Sequence, residues 1–202
     1  MPGPITHLKA AYYYNEKHGF CFGGELYLGS ISPDCVNLDG HAPKYLRWPA
    51  HLRSADLMEW FQNTKTFYNA NKGRVDESLL RGYILHILTD IVWDRSFDRT
   101  LYSLLIGIGI QPENLKSERW NEIYGYEQTE LSSPWLLNKV LPALKKAIPT
   151  EIGTLDVSQM ALWRDNVAEF RLENGNTPRF VDDLFMNPLL DEVNKLSDEI
   201  FE

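Results

Sequence analysis

The sequence predicts an all-α fold in a single domain. Three observations carry that expectation. Apolar residues recur at helical spacing, most densely between positions 77 and 95. Helix-start signals repeat along the chain, at Asp76, at Ser133-Pro134, and at Asp156 with Gln159 three residues on. Strand signals are poor, with no long apolar/polar alternation and no Asn-Gly or Asp-Gly turn between β-branched runs.

The elements follow in order. Thr6 reads as the cap of a helix through Leu8–Lys17 that ends near Gly19. Glu25–Ser30 reads as a short helix stopped before Pro33, with a loop from Asp34 to Pro49 after it. His51–Asn69 shows helical periodicity through Leu52, Leu57, Trp60 and Phe61. Asp76 then caps the clearest element, Glu77–Trp93, which contains no proline. Its stretch from Leu79 is apolar nearly all round, so it is buried on all sides and forms the centre of the fold. Gly82 on this helix allows another backbone to approach closely. Later helices start at Ser133-Pro134, at Asp156 and at Thr177-Pro178. Six to eight helices are expected around a central helix of about 77–95.

Composition narrows the function. The chain has 202 residues, 44% hydrophobic and 24% charged, which is globular and sufficient for one domain over 1–202. A net charge of −8 provides no basic face for non-specific binding of nucleic acid or an anionic membrane. Cys21 and Cys35 are too few for a disulfide framework. The longest apolar run, Leu104–Ile110, falls far short of the roughly 20 residues of a membrane span. The start at Met1–Pro4, followed by His7 and Lys9, lacks the apolar run of a signal peptide, and a cytoplasmic location is expected.

His86 and Asp90 interrupt the apolar helix four residues apart, on one face. A carboxylate buried among apolar groups is costly unless something compensates it. A metal ion is one solution and a buried arginine or lysine is another. All five histidines, His7, His18, His41, His51 and His86, fall in the first 86 residues. A helix starting near His7, the Pro33-Asp34 loop and a helix start at His51 can each deliver one ligand to the central helix. A site of Asp34, His51, His86 and Asp90 has only N and O ligands. It suits Zn²⁺, Mn²⁺, Fe or Ni²⁺ better than Ca²⁺ or Mg²⁺. The ordinary alternatives are a helix-start residue for His7 and His51, a turn or cap residue for Asp34, and a structural pair for His86 and Asp90. His18 fits a helix C-terminus, His41 fits an exposed turn and Cys35 fits a buried thiol. Arg53, Arg81 and Arg95 are candidates to grip a phosphate, with surface ion pairs as the alternative. Trp48, Trp60 and Trp93 are candidates to wall a pocket, with core packing as the alternative.

Four motifs occur in order: His7, Gly29-Ser30-Ile31-Ser32-Pro33-Asp34, Ala50-His51-Leu52-Arg53, and Gly82-Tyr83-Ile84-Leu85-His86-Ile87-Leu88-Thr89-Asp90. Together they resemble the zinc-dependent phospholipase C family, which shares an all-α fold with single-strand nucleases. The resemblance covers about residues 1–95. It implies one metal site formed by Asp34, His51, His86 and Asp90, with Asp90 bridging to a second ion that His7 also binds. It also implies Asp34 as the general base for the attacking water. No histidine follows His86, and Ser96 stands about where the third-metal site of the family would need one. One or two Zn²⁺ ions are therefore expected rather than three. The resulting expectation is a metal-dependent hydrolase acting on a small-molecule or lipid phosphoester through a metal-activated water. The alternatives are a non-catalytic helical binding or regulatory domain with a structural metal, and a metal-free interaction domain whose Asp90 meets an arginine or lysine.

Overall fold

The structure, a computed structural model, describes residues 2–170 and 177–202. Every regular element among the described residues is helical, so the all-α expectation holds. The order is α1 (Pro4–Lys17), α2 (Gly24–Ile31), a 3-10 turn (Ser32–Asn37), α3 (Lys44–Ala50), α4 (Leu57–Asn71), α5 (Glu77–Val92), α6 (Asp98–Gly107), α7 (Leu115–Glu130), α8 (Leu141–Leu144), α9 (Val157–Ala168) and α10 (Asp183–Phe201). Turns of π-helix at Trp93–Phe97 and Leu136–Val140 lead into α6 and α8. The expected six to eight helices are divided further by these turns and by a break after α3.

α5 is the central rod. Asp76 caps it, its Oδ1 accepting the Leu79 amide at 2.9 Å. From Leu79 to Val92 every residue except Arg81 is buried. α2 crosses α5 at close range, where Gly29 meets Gly82. A Cβ on Gly82 would collide with the Leu26 carbonyl oxygen, and one on Gly29 with the Leu79 carbonyl oxygen. The expectation drawn from Gly82 is thus met by α2. Helices α1, α4 and α10 cover the other sides of α5. The buried side chains form one continuous cluster from Ile5 to Phe201.

Several local expectations need correction. Thr6 does not cap α1, which begins two residues earlier at Pro4 with Gly3 as N-cap. The Thr6 amide and hydroxyl instead donate to Glu127 Oε1 of α7, at 3.0 and 2.8 Å. This places a carboxylate at the positive end of the α1 dipole. The supposed loop 34–49 contains the 3-10 turn and α3, because Pro43 holds the extended backbone that opens α3. His51 is not a helix start. It is the C-cap of α3, and Leu52 follows with φ of 51°, left-handed and uncommon for a leucine. That kink breaks the helix expected over 51–69, and Asp56 starts α4 anew by accepting the Glu59 amide at 2.8 Å.

Towards the C-terminus, Pro134 does open a helical stretch and Asp156 does cap α9, accepting the Gln159 amide at 2.9 Å. No helix starts at Thr177-Pro178. Glu122 Oε2 takes the amides of Arg179 and Phe180 at 2.9 Å each, which holds that segment out of helical geometry. Asp182 caps α10 instead, accepting from the Phe185 amide. Among the described residues, no helix is long and apolar enough to cross a membrane.

Candidate metal centre

Four elements converge on one buried point. α5 supplies His86 and Asp90 from successive turns of one face. α1 supplies His7, the 3-10 turn supplies Asp34, and the C-cap of α3 supplies His51. All five residues singled out in the sequence come together here. His7, His86 and Asp90 are fully buried, His51 is nearly so, and Asp34 is 9% exposed.

Backbone carbonyls set the orientation of two imidazoles. His86 Nδ1 lies 2.7 Å from the Ser30 carbonyl oxygen, and His51 Nδ1 lies 2.9 Å from that of Arg47. A carbonyl only accepts, so each Nδ1 carries a proton, and in the neutral ring each Nε2 presents a lone pair inward. The α2–α5 crossing brings the Ser30 carbonyl to His86. The turn after α3 is held in place by the Tyr83 hydroxyl donating to the Ala50 carbonyl (2.6 Å) and the Trp60 indole donating to the His51 carbonyl (2.8 Å).

The inward groups are nearly all electron-rich. Asp90 faces His7 Nε2 at 3.7 Å, His86 Nε2 at 3.7 Å and His51 Nε2 at 3.9 Å. Asp34 faces His51 Nε2 at 3.3 Å and accepts from Asn37 Nδ2 at 3.0 Å. Burial pushes Asp90 up to about 7, against the pull of His51. Burial would also raise Asp34, but its hydrogen bond to His51 and the three imidazoles hold it well below the usual carboxylate range. Burial lowers His7, and lowers His86 to about 4, so both are neutral at pH 7. Burial pulls His51 down as well, but Asp34 and Asp90 outweigh it and raise it.

These residues fit a transition metal. A proton on His51 would satisfy Asp34 alone. Both ring nitrogens of His7, Nε2 of His86 and both oxygens of Asp90 still have no hydrogen-bond partner among the described residues. So many orphaned buried polar atoms, most of them acceptors, are rare in a folded protein. Two overlapping sets, His7–Asp34–His86 and His51–His86–Asp90, each bring ligand atoms within 4.8 Å of one another. The N,O donor chemistry is that of Zn²⁺ and its first-row neighbours. Ligands must shed protons to bind a cation, and Asp90 is neutral below about pH 7. Zn²⁺ affinity, measured by chelator competition, is therefore expected to rise roughly 10-fold or more from pH 6 to pH 8. A pH-independent affinity would contradict this ligand set.

A cavity of about 400 Å³ opens beside the centre and reaches Asp34. Trp120, Tyr124, Trp163 and Phe170 wall it, with Arg47 at its side. His41 also lines it and is exposed. The sequence reading missed these walls. Trp60 and Trp93 are core residues, and Trp48 lines a different surface cavity. The arginines considered there are paired: Arg53 with Asp94, Arg81 with Glu77 and Arg95 with Glu192. His18 Nε2 lies 3.3 Å from an Asp198 carboxylate oxygen. Glu127 was also missed. It is fully buried, burial raises its carboxyl to about 7 against the pull of Thr6, and its Oε2 has no partner among the described residues. The available signal was a run of acids on the inward face of α7, where Glu122, Glu127 and Glu130 share burial with Ile123 and Tyr126.

Compared with protein-family models, characterised proteins and solved structures, the chain matches none. The family resemblance accordingly stands on the four ordered motifs alone.

Proposed function

We propose that the protein is a metal-dependent hydrolase acting on a phosphoester. The observation that carries this reading is Asp90, buried without a hydrogen bond and ringed by three imidazole nitrogens, beside a cavity that reaches a second carboxylate. His7, Asp34, His51, His86 and Asp90 would hold one or two ions, with Zn²⁺ first among the candidates. Bound there, the ion supplies a Lewis acid and lowers the pKa of a water toward neutrality. With an ion bound, Asp90 would balance part of its charge from the buried side of the cluster. Asp34 is the member of the set that lines the cavity, and it stays ionised. It would accept a hydrogen bond from the attacking water, orient it and take its proton. The aromatic walls exclude bulk water from the reacting phosphorus.

Protein purified without a histidine tag should retain one or two transition-metal ions per chain. His86→Ala should lose both the metal and phosphodiester hydrolysis, read by elemental analysis and a chromogenic diester. Full turnover by that variant would sink the mechanism. Metal retained by the wild type without turnover across a phosphoester panel would leave a structural ion in a binding or regulatory domain.

A further inference from the structure

We infer that the cavity beside Asp34 is a subsite for aryl phosphoesters. In this assignment Arg47 grips the phosphoryl oxygens and the ring packs against the aromatic wall of Trp120, Tyr124 and Trp163. The inference deepens the phosphoester reading above and rests on it.

Arg47 carries the assignment. It lines the cavity, and its Nε is sealed from solvent without a hydrogen-bond partner among the described residues. The chain has 28 acidic against 20 basic residues, and the neighbouring Arg53, Arg81, Arg95 and Arg119 all hold carboxylates. A guanidinium left without one among the described residues, beside a cavity, is suited to an anionic guest, and its planar fork matches phosphate oxygens. A second donor points to the same chemistry. The indole nitrogen of Trp163, another lining residue, is also buried without a partner. Both donors lie in the cavity wall rather than on its open surface, so a small side-chain shift is needed to bring them to acceptor oxygens of a ligand.

The walls define the organic part. Trp120 and Tyr124 stack with centroids 5.1 Å apart and planes 20° apart, forming a flat face for a planar ring. An aromatic cage could hold a quaternary ammonium, but the Arg47 cation disfavours one in this cavity. The volume of about 400 Å³ lies within the roughly 300–1,000 Å³ of small-molecule sites.

The test is equilibrium binding, by calorimetry, of phenyl phosphate, inorganic phosphate and glycerol phosphate to the purified protein of known metal content. Phenyl phosphate should bind at least about 10-fold tighter than the other two, since only it buries a ring. Arg47→Gln should weaken phosphate and phenyl phosphate alike, by roughly 10-fold or more. Trp120→Ala should erase the preference for phenyl phosphate while leaving phosphate affinity in place. Metal content and melting temperature of each variant check that the fold is intact. Equal affinity of wild type and Arg47→Gln for phenyl phosphate would overturn the assignment. So would glycerol phosphate binding as tightly as phenyl phosphate. Binding with the expected ranking but no turnover would support the subsite and count against the hydrolase reading alone.

Discussion

Asp90→Asn should abolish metal binding yet leave the metal-free protein as stable as wild type or more so. The two halves of this result have one cause. In the metal-free protein the Asp90 carboxyl is raised from 3.8 to about 7 by burial. A raised carboxyl contributes its stability in full at acid pH and loses it as pH rises through about 7. Above that pH, wild type carries an uncompensated buried charge that asparagine lacks. With metal bound the order reverses, because a ligand at about 1,000-fold over its Kd stabilises the folded state by about 4 kcal/mol. Thermal melts at pH 8, with and without Zn²⁺, give the comparison. Wild type should gain a large increment in Tm on adding Zn²⁺, and the variant little or none. A variant markedly less stable than wild type when both are metal-free would mean that Asp90 is a structural hydrogen-bonding residue.

Gly82→Ala should be strongly destabilising for a single added methyl, costing at least about 3 kcal/mol. The new Cβ meets backbone rather than a movable side chain: the Leu26 carbonyl oxygen, and the Ser30 amide at 2.8 Å. α2 must move away from α5, and with it goes the Ser30 carbonyl that orients His86. The variant should therefore lose Zn²⁺ affinity as well as stability, although residue 82 touches no ion. Gly107→Ala is the control. A Cβ there meets nothing within 4 Å, so the change should be neutral or gain up to about 1 kcal/mol from helix propensity. Urea titration of the two variants against wild type decides it, and equal midpoints would refute the crossing as a tight contact.

Where local chemistry decides, the fold was legible. Asp76 and Asp156 cap their helices because a carboxylate three residues before an amide needs no tertiary help. The all-round apolar pattern of α5 predicted its burial, and Gly82 predicted a close neighbour. Distant partners hid the rest. Thr6 reads as a cap until Glu127 arrives 121 residues later, and Thr177-Pro178 reads as a helix start until Glu122 takes the amides beyond it. The candidate site divides the same way. Its five inner residues are rare types in an ordered pattern, so they stand out. Arg47, Trp120, Trp163 and Glu127 are ordinary residues of polar or amphipathic helices, and only packing reveals what each faces.

The inner residues are also far apart in the chain. Only His86 and Asp90 are local neighbours, while His7, Asp34 and His51 reach them by closing long loops. Loop closure is slower than winding one helical turn. A cation binding during folding would therefore first meet a two-point perch on α5, with the full cage completed only after α1 and the 3-10 turn have docked. Tight capture would then work as a latch on the N-terminal half. Metal scarcity would act on newly made chains before it stripped mature ones.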